Sequence, residues 1–192
     1  MSLIRKCLIC AVFAFSVFIG SGPLVLAQSE DVEPEAEVER LYAQLAEPGR
    51  EDWERVEAEI ERIWSRSGSD SMDLLLERGR EALNAQDYDT ALHYFSALTD
   101  HAPGFAEGWN GRATTFYLME EFALSISDIE HVLALNPRHF GALQGLGIMF
   151  EQLGENELSL NAFRAANALH PNQPDVKGAI ERLERSRGAV DL

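Results

Sequence analysis

Pro103, Pro137 and Pro171 are each separated by 34 residues. Proline stops a helix, because it lacks a backbone N–H and its ring clashes with the preceding turn. Prolines at a constant interval therefore mark a helix end that recurs along the chain. A period in the range of about 20–50 residues is the signature of stacked structural repeats, each a supersecondary unit that buries its apolar face only against its neighbours.

The same offset carries other residues. Leu75, Trp109 and Leu143 correspond, as do Arg78, Arg112 and Leu146, then Gly79, Ala113 and Gly147, and then Ala82, Phe116 and Phe150. Further on, Ala91, Ser125 and Ser159 align, followed by Phe95, Ile129 and Phe163. Small residues where two helices cross let the backbones approach, so Gly79, Ala113 and Gly147 are expected to face Ala91, Ser125 and Ser159. A glycine inside a helix costs about 1 kcal/mol relative to alanine, and its recurrence here implies close contact. Phe95, Phe116, Phe140, Phe150 and Phe163 are expected to fill the space between hairpins.

With this order of residues, W-x2-L-G-x2-Y, then A-x3-F, then P, the segment 72–173 resembles three consecutive tetratricopeptide repeats, 72–105, 106–139 and 140–173. Arg78 and Arg112 replace the usual leucine and Ala82 the aromatic, so the first unit departs most from the pattern. The resemblance implies an all-α solenoid, a right-handed superhelix of antiparallel helix pairs whose first helices line a concave groove. It implies groove positions at Asp73, Leu76, Arg80 and Leu83, at Glu107, Asn110, Thr114 and Tyr117, and at Gly141, Gln144, Ile148 and Glu151. Arg138 and His139 belong to the adjoining turn. Some members hold a peptide's C-terminal carboxylate with a lysine- and asparagine-rich clamp. Leu76, Glu107 and Gly111 stand at clamp positions here, which argues against that mode. The partner-binding set expected is Arg80, Glu107, Asn110, Thr114, Tyr117, Arg138 and Gln144, holding a peptide or helix of another protein.

The first 27 residues read as an export signal: a basic head at Arg5-Lys6, an apolar run from Cys7 to Ile19, then Val25-Leu26-Ala27 before a cleavage expected between Ala27 and Gln28. An uncleaved inner-membrane anchor is the alternative, although the run is short of the roughly 20 residues a span needs. Both cysteines, Cys7 and Cys10, lie in this segment, so the mature chain would have no disulfide, thiol chemistry or cysteine metal site. Removing Arg5 and Lys6 leaves 14 basic residues against 32 acidic, a net charge of −18. Such a chain is repelled by nucleic acid and anionic membranes and attracted to basic partners.

Residues 28–37 are acidic with few apolar side chains and are expected to be a flexible lead-in. Within 38–71, Val38, Leu41, Tyr42 and Leu45 and then Trp53, Val56, Ile60, Ile63 and Trp64 recur at helical spacing, predicting a divergent hairpin. Glu57 and Glu61 replace the repeat's alanine and phenylalanine. The hairpin is expected to cap the first repeat, or else to dock elsewhere through Trp53 and Trp64. Residues 174–192 predict a second cap, with Pro174 and Asp175 opening the helix and Val176, Ile180 and Leu183 facing inward.

Five scattered histidines form no metal spacing, and there is no phosphate loop or nucleophile elbow. The residues thus predict neither catalysis, cofactor nor metal. The resemblance, together with the export signal, implies an adaptor for another protein of the bacterial cell envelope, periplasmic or secreted. The alternative is a homo-oligomeric scaffold stacked through the terminal helices.

Overall fold

A computed structural model of the chain describes residues 34–190. The export segment with Ala27 and Gln28, and the lead-in before Pro34, lie outside the described residues. Among the described residues there are nine helices and no strand, and no helix is long and apolar enough to cross a membrane. Three antiparallel hairpins follow one another: α3 (Asp70–Asn84) with α4 (Tyr88–His101), α5 (Ala106–Leu118) with α6 (Phe122–Leu135), and α7 (Phe140–Gln152) with α8 (Asn156–Leu169). Before them stand α1 (Pro34–Leu45) and α2 (Trp53–Trp64), and after them α9 (Pro174–Val190). The fold is an all-α solenoid.

Close helix crossings explain the small residues. Ser125 Oγ donates to the carbonyl of Ala113 at 2.8 Å, and Ser159 Oγ to that of Gly147 at 2.7 Å. The ring of Phe95 is wedged between Gly79 and Gly111, where an added Cβ would come within 2.5 and 2.4 Å of it. Phe163 fills the equivalent place over Gly147, at 2.7 Å from such an atom. The turn inside each hairpin places one residue in the left-handed region: Gln86 at φ 59°, Glu120 at 63° and Gly154 at 78°.

The second repeat solves its missing leucine with an ion pair. Arg112 donates from Nε and Nη2 to the two carboxylate oxygens of Asp128 at 2.7 and 2.8 Å, and from Nη1 to Thr99 Oγ1 at 3.0 Å. Asp128 is only 4% exposed, so this bidentate pair stands inside the packing.

At the C-terminal end, α9 buries Val176, Ala179 and Leu183 against Leu160, Phe163 and Ala166. Arg182 pairs with Glu151 and Arg164 with Glu184.

The N-terminal hairpin differs from expectation in two ways. First, α1 begins at Pro34, inside the segment expected to be flexible; proline suits a first helical turn. Second, it does not cap the first repeat. Leu41, Tyr42, Leu45, Val56 and Ile60 pack on Phe140 with Leu169, at the inter-repeat turns of the second and third hairpins. Met72, Leu75 and Leu83 of the first repeat pack instead against that repeat's own core around Phe95. The hairpin's polar side chains find partners in this seat: Gln173 donates to Glu57 at 2.8 Å, and Arg80 of α3 donates to Ser65 at 2.9 Å. Trp64 stacks on His139 at 4.4 Å, and Trp53 meets His170 edge-on at 5.0 Å. The tryptophan face proposed for docking elsewhere is thus turned onto the chain's own repeats.

Candidate functional site

The first helices of the second and third hairpins, α5 and α7, run side by side and leave a cavity of about 190 Å3 between them. Its polar wall is Asn110, Thr114, Tyr117 and Gln144, and its apolar floor is Ala113, Ile129, Ala142, Ile148 and Met149. Helical spacing puts Asn110, Thr114 and Tyr117 on one face of α5. The Thr114 hydroxyl donates to the carbonyl of Asn110 at 2.9 Å, and Tyr117 accepts from Gln152 at 3.0 Å. Four of the seven groove residues expected from the sequence therefore meet here.

Arg80 and Glu107 lie next door, in a polar hollow of about 420 Å3 that shares Asn110 and is closed by Glu61, Arg62, Trp64 and Ser65 of the N-terminal hairpin. Glu107 is 5% exposed. It accepts from Arg80 Nη2 at 2.9 Å and from His139 Nε2 at 3.0 Å. His139 Nδ1 in turn accepts the N–H of Ala142 at 3.1 Å, which leaves the proton on Nε2 and fixes the tautomer. Burial opposes the charge on Glu107. The bond donated by His139, the charge of Arg80 and a bond from Asn110 outweigh it and hold the carboxyl below its ordinary value. Glu61 behaves oppositely: desolvation, then the nearby charges of Glu57 and Glu107, push its carboxyl up.

Arg138 corrects the expected set, because it lies at neither pocket. Its guanidinium bonds Glu39 at 2.6 and 2.9 Å and sits 3.5 Å above the ring of Tyr42. The turn after α6 faces α1, and the side chain follows it. Leu76, another position implied to face the groove, is 2% exposed and packs in the first hairpin's core with Phe95. Sequence reasoning missed Gly145, which lines the cavity, and the pairing of His139 with Glu107. The signal for His139 was its place directly before α7, where a side-chain acceptor caps the first turn. Among the described residues no cluster of histidine, aspartate or glutamate is arranged to hold a metal ion.

The sequence profile of the tetratricopeptide repeat family matches residues 76–124 and 112–174. A TPR repeat-containing protein of Rhizobium etli is 32% identical over 159 residues, covering 80% of this chain and 78% of that one. Protein bimA of Emericella nidulans is 26% identical over 94 residues, 49% of this chain and 12% of that protein. Among solved structures, the first TPR of Spaghetti (RPAP3), bound to the HSP90 peptide SRMEEVD, superposes with a TM-score of 0.59 at 20% identity, over 61% of this chain and 93% of that one. The Yersinia enterocolitica type III secretion chaperone SycD, in complex with a peptide of the translocator YopD, gives 0.58 at 17% identity, over 62% and 96%. At such identities the structural likeness speaks for the fold alone, while the profile and the Rhizobium relative speak for descent. The chain belongs to the tetratricopeptide repeat family.

Proposed function

We propose that this chain is a non-catalytic adaptor that holds a peptide or helix of another protein in the groove between α5 and α7. The observation that carries the reading is the cavity itself. Asn110, Thr114, Tyr117 and Gln144 converge on a space floored by apolar side chains, the combination that fixes a ligand's orientation while burying its surface. Solved relatives in fold hold peptides of partner proteins, which supports a protein partner without naming one. The HSP90 peptide carries the acidic run Glu-Glu-Val-Asp. The clamp positions here hold Leu76, Glu107 and Gly111, so a different ligand chemistry is expected.

We place this work in the bacterial cell envelope, after export. Arg5-Lys6, the apolar run Cys7 to Ile19 and Val25-Leu26-Ala27 support that location. Co-isolation from the native cell tests the groove. A partner recovered with the wild-type chain should be lost with the pair Asn110→Ala and Gln144→Ala, while the variant's helical circular dichroism is retained. Retention of every partner by that folded variant would remove the groove from the function.

A further inference from the structure

We propose that the groove takes an extended peptide segment, with a small or aliphatic side chain over Gly145 and a basic side chain reaching Glu61. This rests on the groove reading above and narrows it to one conformation and one charge pattern.

Gly145 is the first ground. Gly79, Gly111 and Gly147 have an internal reason to lack a side chain, since a Cβ at each would come within 2.4–2.7 Å of a phenylalanine ring. Gly145 lies in the middle of α7 and has none. The nearest atom to its missing Cβ is Ile129 Cδ1, at 3.4 Å, an ordinary contact. The fold would accept alanine there and gain helix propensity. What the glycine does achieve is to bare the backbone of α7 to the cavity, allowing a second chain to come close.

The cavity's size and polarity choose the conformation. A helix with its side chains is about 10–12 Å across, so it would lie over the mouth of the space of about 190 Å3 between α5 and α7 and put only side chains into it. One aliphatic side chain fits it. Gln144 has no side-chain hydrogen bond among the described residues, although it lines the cavity. A carboxamide offers a donor and an acceptor together, matching the N–H and C=O of an extended backbone. A helix has already used those groups on itself.

Charge supplies the second side chain. Asn110 lines both the groove and the hollow beside α2. There Arg80 is taken by Glu107 and Arg62 by Glu59. The carboxylate of Glu61 has no bonded partner among the described residues, and it faces the same hollow. The chain's net charge of −16 adds long-range attraction for a basic segment.

The test is a random nonapeptide display library panned on the full chain, with affinities of selected peptides measured on the wild type and on Gly145→Val, Gly145→Ala and Glu61→Gln. Enriched peptides should pair a lysine or arginine with an aliphatic residue. Gly145→Val should lower their affinity by about tenfold or more. Gly145→Ala should weaken binding while melting at the same temperature or higher, and it keeps the test decisive if the valine variant does not fold. Glu61→Gln should weaken basic peptides and spare neutral ones. Acidic or helix-periodic consensus peptides, or equal affinity in wild type and Gly145→Ala, would overturn this proposal and leave peptide binding standing. A library that yields nothing would overturn both.

Discussion

Asn172 accepts the backbone N–H of Gly49 at 2.7 Å, across 123 positions of sequence. Its amide nitrogen also donates to the carbonyls of Glu47 at 2.8 Å and Leu45 at 3.3 Å. One side chain thus satisfies the turn that joins α1 to α2 and fastens the N-terminal hairpin to the end of the third repeat. Three hydrogen bonds at roughly 1 kcal/mol net each predict that Asn172→Ala destabilises the hairpin by about 2–3 kcal/mol. Amide hydrogen exchange should quicken in α1 and α2 and stay unchanged in α5 and α6. Unaltered protection of α1 would show that the turn does not depend on this residue.

The ion pair in the second repeat should show a strong asymmetry. Arg112→Leu restores the family's usual residue but strands the buried Asp128 carboxylate, and it should cost about 3–5 kcal/mol. Asp128→Ala leaves an arginine with 19% of its side chain already exposed, so its cost should be smaller. The double variant Arg112→Leu with Asp128→Ala should recover most of the loss. Denaturant melts of the four proteins would check this, and a double variant no better than Arg112→Leu would contradict it.

Left-handed turns carry a removable strain. Glu120 holds φ 63° with a side chain where the third repeat has Gly154 at 78°. The left-handed conformation costs roughly 1–2 kcal/mol for residues other than glycine, offset in part by glycine's larger entropy when unfolded. Glu120→Gly should therefore raise stability by about 0.5–1 kcal/mol, and Gly154→Glu should lower it by a similar amount. Thermal melts that move in the opposite directions would refute the strain.

Acid should act on the hairpin joint in two stages. The folded carboxyl of Glu61 titrates above its ordinary value of 4.5, so the folded state binds that proton more tightly than the unfolded chain. Stability rises as pH falls through the raised range, and the gain is complete below the ordinary value. Glu107 titrates below 4.5; its contribution is present above that value and fades as pH falls through its lowered range. Glu61→Gln should accordingly raise the melting temperature at pH 7, by about 1–2 °C given solvent screening, and should lose the rise on mild acidification. A lower melting temperature at pH 7 would show that Glu61 favours the joint when charged.

The repeats were legible because their determinants are local. Prolines at a fixed interval, Gly79 and Gly147 at crossings, and Phe95 and Phe163 above them all act within one or two neighbouring helices. The existence of α1 and α2, and the extent of α2, were legible too, from the stripes Val38 to Leu45 and Trp53 to Trp64, although α1 starts earlier, at Pro34. Where that hairpin rests was not. Its partners, Arg138, Phe140, His170 and Asn172, lie about a hundred residues away, in or beside the inter-repeat turns, where the repeat pattern specifies little. Arg112 looked like a mere departure from the pattern, although an arginine in a leucine's buried place calls for a buried acid, and Asp128 stands within the neighbouring helix. Arg138 misled for a related reason: its position in the repeat describes the turn, while α1 decides where the guanidinium points.

The most direct test of the groove is photocrosslinking in the native cell from a photoreactive phenylalanine analogue at Tyr117, with the same analogue at the exposed Arg185 as the control. We predict a discrete protein partner trapped from position 117 and absent from position 185. Crosslinks from position 185 alone, or only to a second copy of the chain, would contradict the groove as the working surface.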